Sequence, residues 1–526
     1  MWRAHRGEGW LHFVSFEGFP LDAGDVARAL EPWPELAPLA AELIANWPFR
    51  AKGVRRVVWP KERLTLTLNI GQIEETLPQA QFEADAWFLD GFSPAKNGAM
   101  WDQALWPLVA ARSAGGAIAA TFTVAGAVRR GLSEAGFVVS KQRGHGRKRE
   151  RLEAVFPGAR PVVGVRAAPK LAIVGAGIGG ACLARALAAR GAAVTVFDTA
   201  SGPAQGTSGN PLALLMPRID AGDTMQARFL IEAYNAARAT YLGLAGVEET
   251  EVLQKVKDEQ EAARFAKILA DPPLGLENLE ATAQGLLHKR AMMFRPALLL
   301  PALLDGIDVR WGQAGPEAVE GSGFDAVVHA GGWQMDKAFP YLRLKGRAGQ
   351  VNYTTLPVDA PTSAVASGAY ALASGTDRLW GATYRDQVGD VPVEVDGDEA
   401  DNRAALAMLD PYWRQAALSI EADARVGVRA TTPDRLPVIG AVPSLADLEP
   451  YYDRLRAGEA LPIDTPRVEG AYIVGGFGSR GFTFAPWAAH VITAQIFGDP
   501  IPTQLETLRL VDPVRQVLRD LKRKLI

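Results

Sequence analysis

The hydrophobic pattern of the first 160 residues switches repeatedly between strand-like and helix-like periods. Arg63-Leu-Thr-Leu-Thr-Leu-Asn-Ile70 alternates with period two, which predicts a strand with one solvated face. Leu11 to Phe16 reads as a strand ending at Glu17, and Ala86-Trp-Phe-Leu-Asp90 as a short buried strand. Gly116 to Thr123 is a further strand, while Phe137 to Ser140 and Arg151 to Phe156 close the region as a hairpin. Between them, Asp25 to Leu30, Glu35 to Ala45 and Gly126 to Ala135 follow helical spacing. This order predicts a mostly parallel sheet with helices on both faces. Ligands of such sheets sit beyond the carboxyl ends of the strands, where Glu17 and Asp90 fall.

Proline, glycine and alanine without periodicity run from Phe156 to Lys170 and predict an exposed connector. The expected division is 1–157, a linker at 158–169, and 170–526. Past the connector, the apolar run Leu171-Ala-Ile-Val enters Gly175-Ala-Gly-Ile-Gly-Gly180, an Ala/Leu helix follows, and Val194-Thr-Val-Phe-Asp198 ends on a carboxylate. That is the order of a dinucleotide-binding βαβ unit. Gly175 allows the tight turn, Gly177 lets backbone approach a pyrophosphate, Gly180 lets helix and strand pack closely, and Asp198 suits a ribose diol. Gly323 to Gly332 repeats the strand-to-glycine pattern, and Ala471 to Gly481 runs into a helix at 485–497. The dinucleotide fold is therefore assembled from distant segments, with 216–290 and 346–424 facing substrate.

Length changes the picture only by requiring more than one core in 526 residues. With 48% hydrophobic and 22% charged residues the composition is globular, and a net charge of −3 confines any nucleic-acid contact to local basic patches. One such patch exists: Lys141 to Arg151 holds six Lys/Arg in eleven residues, enough to neutralise several phosphates. A single cysteine, Cys182, excludes an internal disulfide framework and reads as a small buried helix residue. The six histidines show no metal-ligand spacing. No secretory signal is visible, and the run Leu171 to Ala189 reads as the βα unit and not as a membrane span, so a cytoplasmic protein is expected.

Gly206-Thr-Ser-Gly-Asn210, Arg425 to Gly440 and Gly475-Gly-Phe-Gly-Ser-Arg-Gly481 resemble the D-amino-acid and glycine oxidase family of flavoproteins. Trp87 to Trp101, with Asp-Gly-Phe-Ser-Pro inside it, and Gly144 to Glu150 resemble the methyltransferase part of the bifunctional tRNA 5-methylaminomethyl-2-thiouridine biosynthesis family. The resemblance spans essentially the whole chain. It implies FAD and S-adenosylmethionine as cofactors and tRNA with a modified wobble uridine as partner. The implied fold class is α/β: an N-terminally incomplete methyltransferase-like parallel sheet, then a two-part FAD-binding Rossmann-type oxidoreductase with an α+β substrate domain. The implied reactions are removal of the carboxymethyl group from 5-carboxymethylaminomethyl-uridine, then methylation of the exposed amine.

By the same resemblance, Arg429 and Arg480 face the substrate carboxylate, and Ser208, Gly209, Asn210, Gly478 and Gly481 join Gly175, Gly177, Gly180 and Asp198 around FAD. Asp90 orients the attacking amine and Glu17 holds the ribose of the methyl donor. No metal is expected. One departure stands out: no strand and glycine-rich loop precede the strand ending at Glu17. Either the true protein starts upstream of Met1, which is the favoured expectation, or this half is a decaying remnant; the centre of this sheet is then left unpaired and methyl transfer is impaired in the chain as given. Two other readings compete: a free amino-acid oxidase with an inert N-terminal half, and a non-catalytic tRNA-binding flavoprotein.

Overall fold

The computed structural model describes residues 9–146, 148–159, 168–356, 364–387, 389, 397–409, 413, 421–459 and 465–525. Most of the expected linker lies outside the described residues. The chain divides into two compact units: Met1–Leu21 with Lys52–Ala167 and Phe497–Glu506, and Asp22–Ala51 with Ala168–Ile496 and Thr507–Ile526.

The first unit holds two small sheets. In one, Leu11–Glu17 pairs parallel with Leu64–Ile70, which pairs antiparallel with Gly53–Trp59. In the other, Ala84–Phe88 pairs parallel with Ser113–Thr121, and the hairpin Val138–Arg143 and Glu150–Val155 completes it. Leu11–Glu17 and Ala84–Phe88 each form a free edge, and no described strand lies between them. The reading of Ala86 to Asp90 as a buried strand needs correction: the strand is Ala84–Phe88, and Phe88 is 72% exposed. An apolar run is buried only if something covers it, and here one flank has no neighbour among the described residues. The packed part of the unit lies on the other side, where Leu77, Trp101, Leu105, Trp106, Val128, Leu132 and Leu152 are buried together.

The second unit is built on a six-stranded sheet in the order Asp308–Trp311, Ala193–Asp198, Lys170–Val174, Ala326–His329, Arg467–Gly475, Val438–Pro443. All neighbours are parallel except the last pair. Helix Ile178–Arg190 packs on it through Ala181, Cys182, Leu183, Ala184 and Leu187, all buried, and ends at Gly191 in the left-handed conformation that closes a helix without a Cβ penalty. A second, larger sheet includes Gly285–Phe294, Val247–Lys255, Ala364–Ser367, Ala369–Ser374, Asp377–Gly381 and Lys345–Thr355, with Asp423–Thr431 antiparallel to the last of these. No helix among the described residues is long and apolar enough to cross a membrane.

Candidate functional site

The glycine turn is locked from three directions. Gly175 has φ +113°, and a Cβ there would meet the Ala330 carbonyl oxygen at 2.5 Å. A Cβ on Gly180 would lie 1.8 Å from the Gly175 carbonyl oxygen, so only glycine lets the helix start this close to its strand. Asp198, at its strand end, accepts from the amides of Ala176 (2.7 Å) and Ala200 (2.8 Å) and so fixes the shape of the turn. Its remaining lone pairs leave room for a ribose hydroxyl. Gly177 is the N-cap, and no acidic residue stands in the first turn of the helix that follows. The positive end of that helix is thus uncompensated, which fits a diphosphate.

Ser208 ties the next predicted segment to this turn: the Ile178 amide donates to its hydroxyl at 3.0 Å. The loop around Gly206 to Asn210 is held from its other side by Arg425, whose Nη2 donates to the carbonyls of Ala204 (3.2 Å), Gln205 (3.0 Å) and Gly206 (2.8 Å). Gly209 is demanded there, because a Cβ would lie 1.7 Å from the Ala204 carbonyl oxygen and 2.7 Å from Arg425. Thr207 Oγ1 donates to the Val428 carbonyl at 2.6 Å. These contacts join the glycine turn to the strand that carries Arg429.

Arg429 leaves that strand sideways. It stands opposite Arg347 in the antiparallel register, and its guanidinium crosses Gly349 to donate to the Thr383 carbonyl at 3.3 Å. A Cβ on Gly349 would lie 2.1 Å from Arg429 Nη1 and 2.4 Å from the Thr383 carbonyl oxygen. No carboxylate pairs with Arg429 among the described residues. Arg480 starts from the adjoining turn, where the Gly478 amide donates to the Ala430 carbonyl at 2.7 Å and Gly478 has φ +56°. Burial, then the neighbouring Arg218, pulls the Arg480 pKa down to about 10, with Asp220 opposing. Its guanidinium forms no hydrogen bond among the described residues. The lowering reflects chiefly the desolvation of the guanidinium. Gly481 begins the following helix, Gly481–Phe497, and a Cβ on it would sit 3.2 Å from Ile178 Cγ2 beside the glycine turn.

In the first unit, Glu17 closes its strand and accepts from Ser15 Oγ at 2.5 Å. Asp90 is exposed on the loop after Ala84–Phe88. That loop is pinned a few residues on, where Trp101 Nε1 donates to the Phe92 carbonyl at 2.7 Å. In the basic hairpin, Lys141 pairs with Glu150 and Arg151 with Glu153, and Lys148 lies 4.9 Å from the Phe122 ring centroid. Arg143, Lys148 and Arg149 stay exposed. Cys182 is buried against Tyr241, and burial pushes its thiol up to about 12, which makes it inert. No cluster of metal ligands occurs among the described residues.

Reading by motif missed Arg425, Gly349 and Asp434. Asp434 accepts from Arg515 (3.0 Å), Arg519 (3.1 Å) and Gln516 (3.1 Å), and so anchors the last described helix to the Thr432–Leu436 turn. Burial disfavours its charge, but the Arg515 hydrogen bond and charge outweigh that and hold its carboxyl at about 2.

Comparison with known proteins bears on both units. Residues 34–157 match the model of an S-adenosyl-L-methionine-dependent methyltransferase family, and residues 170–495 match that of an FAD dependent oxidoreductase family. The tRNA 5-methylaminomethyl-2-thiouridine biosynthesis bifunctional protein of Maricaulis maris is 39% identical over 97% of this chain and 83% of its own length. The protein of the same description from Caulobacter sp. is 38% identical over 96% of this chain and 83% of its own length. The chain belongs to this bifunctional family. Its methyltransferase and FAD-dependent oxidoreductase parts follow in the order the motifs imply. Among solved structures, glycine oxidase from Geobacillus kaustophilus covers 66% of the chain at TM-score 0.51 and 18% identity, a likeness of fold. Family membership brings FAD and S-adenosylmethionine with it, and the glycine turn described above fits the first.

Proposed function

We propose that this chain carries out two successive steps on the wobble uridine of tRNA. The oxidoreductase part removes the carboxymethyl group from 5-carboxymethylaminomethyl-uridine to leave the 5-aminomethyl form. The methyltransferase part then moves a methyl group from S-adenosylmethionine onto that amine. Beyond the family match, the observation that carries the reading is Arg429: a guanidinium led across Gly349 with no carboxylate partner among the described residues. Its planar fork suits both oxygens of a substrate carboxylate, and the desolvated Arg480 guanidinium adds a second cation.

When bound, FAD would supply the two-electron oxidation of the carbon between amine and carboxylate. The chain's own contribution there is orientation. Arg429 and Arg480 hold the carboxylate, while Gly175, Gly177, Gly180, Asp198, Ser208, Gly209, Asn210, Gly478 and Gly481 shape the cofactor cradle. Methyl transfer needs mainly alignment, so Asp90 serves by holding the amine and taking its proton, and Glu17 by holding the ribose of the methyl donor. The Lys141–Arg151 hairpin contacts tRNA phosphates, with affinity that falls as salt rises. The functional division is 1–157 and 170–526 about a linker, acting in the cytoplasm. Wobble-nucleoside mass spectrometry of cells lacking the protein tests the reading. Accumulation of 5-carboxymethylaminomethyl-uridine derivatives supports it, and an unchanged nucleoside profile refutes it.

A further inference from the structure

Tyr384 is an exposed aromatic ring set beside two guanidinium groups. It is 56% exposed, and its centroid lies 5.7 Å from the guanidinium carbon of Arg347 and 5.9 Å from that of Arg429. Its backbone is fixed: the preceding Thr383 accepts from the Gln350 amide through Oγ1 (3.0 Å), donates its own amide to the Gln350 carbonyl (3.2 Å), and accepts from Arg429. Arg347 is in turn anchored by Asp386. Two like charges directly opposite on neighbouring strands, as Arg347 and Arg429 are, weaken a sheet. The pair is understandable if the ring beside them and an incoming anion share the charge.

We propose that Tyr384 is the stacking platform for the target uracil, a recognition element that a small-amine oxidase would not need. The inference rests on the tRNA reading above. In 5-carboxymethylaminomethyl-uridine the carboxylate carbon is four bonds from C5 of the base, about 5 Å when extended at ordinary bond lengths. A carboxylate seated on Arg429 therefore brings the uracil ring within reach of the Tyr384 face. Proteins that read unpaired bases commonly stack them on aromatic rings, and such stacks are tolerant of ring substitution but not of ring loss.

The test uses the FAD-loaded full chain, an anticodon stem-loop bearing 5-carboxymethylaminomethyl-uridine, and flavin bleaching without oxygen as the readout. Tyr384→Phe keeps the π face and should hold half-saturation within about twofold of wild type. Tyr384→Ala and Tyr384→Leu should raise the half-saturating concentration roughly ten- to a hundredfold, the range a lost base stack gives. Their limiting rate should fall far less, and flavin content per chain checks that each variant is folded. Half-saturation of the Ala and Leu variants within threefold of wild type overturns the stacking role while leaving the tRNA reading intact. Equal loss in the Phe, Leu and Ala variants also overturns it, since it points to the hydroxyl. A wild-type flavin that the stem-loop fails to bleach overturns both.

Discussion

The carboxylates of the two units, Asp198 in one and Glu17 and Asp90 in the other, all stand at or just beyond strand ends, but on different supports. Lys170–Val174, Ala193–Asp198 and Ala326–His329 each have a strand on both sides, so the turn that Asp198 braces is fixed by covered, hydrogen-bonded neighbours. Leu11–Glu17 and Ala84–Phe88 are edges with one flank unpaired among the described residues, and they carry exposed apolar side chains such as Phe13 and Phe88. Unpaired backbone groups and bare apolar rings are costly unless something covers them. The lesson is that a strand-end carboxylate is only as well placed as the strand beneath it. The turn braced by Asp198 rests on strands paired on both sides, whereas Glu17 and Asp90 follow strands paired on one side among the described residues.

The contrast can be broken most severely at the cradle. Gly180→Val drives a branched side chain into the Gly175 carbonyl and should abolish FAD binding with several kcal/mol lost in stability. Gly177→Val, with only Ser208 Oγ near at 3.3 Å, should give colourless protein that still folds. Flavin absorbance per chain and thermal melts separate the two. Stoichiometric flavin in either variant would show that the turn is not where the diphosphate lies.

Hydrogen exchange sharpens the comparison directly. Amides of Lys170–Val174 and Ala326–His329 should exchange at least about a hundredfold more slowly than those of Leu11–Glu17 and Ala84–Phe88, because only the former sit in a covered ladder. Equal protection would mean the two edges are covered in solution.

Within the oxidoreductase, Arg429→Met should lower kcat/KM by roughly ten- to a hundredfold, the effect of losing one charge-assisted pair. Gly349→Ala should reproduce much of that loss without touching a charge, since its Cβ evicts the guanidinium. FAD content should stay normal in both. Wild-type kinetics in Gly349→Ala would disconnect the strand crossing from substrate binding.

The smallest effect is in pH. Asp434 has a folded value of about 2 against an ordinary 3.8, so its contribution is fully present above about pH 4 and is lost as pH falls toward 2. Asp434→Asn should therefore flatten the acid limb of a melting-temperature profile between about pH 4 and 2. An unchanged limb would contradict the network.

What was legible in the chain was local. The βαβ unit from Leu171 to Asp198 is a single contiguous signal, and Gly175 and Gly180 make the tight turn and the close helix–strand packing that their spacing implied. The strand at Leu64–Ile70 was legible from its alternation, but the expected solvated face was wrong: it is the central strand of its sheet and none of its residues is exposed. What escaped was made by residues distant in sequence. Gly349 matters because Arg429 crosses it, and Asp434 because Arg515 folds back onto it. Gly349 has no local pattern, and although Arg425 and Asp434 stood inside the motif that marked Arg429, their partners lie far off in sequence. The misjudged burial of Ala86 to Asp90 has the same root, because hydrophobicity predicts burial only where a neighbour exists to provide it.

The central claim is that the cofactor cradle serves a carboxylated amine carried on RNA. The most direct measurement mixes the FAD-loaded chain, without oxygen, with an anticodon stem-loop bearing 5-carboxymethylaminomethyl-uridine, and in parallel with free glycine. The account predicts flavin bleaching with release of one glyoxylate and one 5-aminomethyl-uridine per flavin from the stem-loop, at far lower concentration than glycine requires. Bleaching by glycine at equal or lower concentration, with the stem-loop inert, would contradict it.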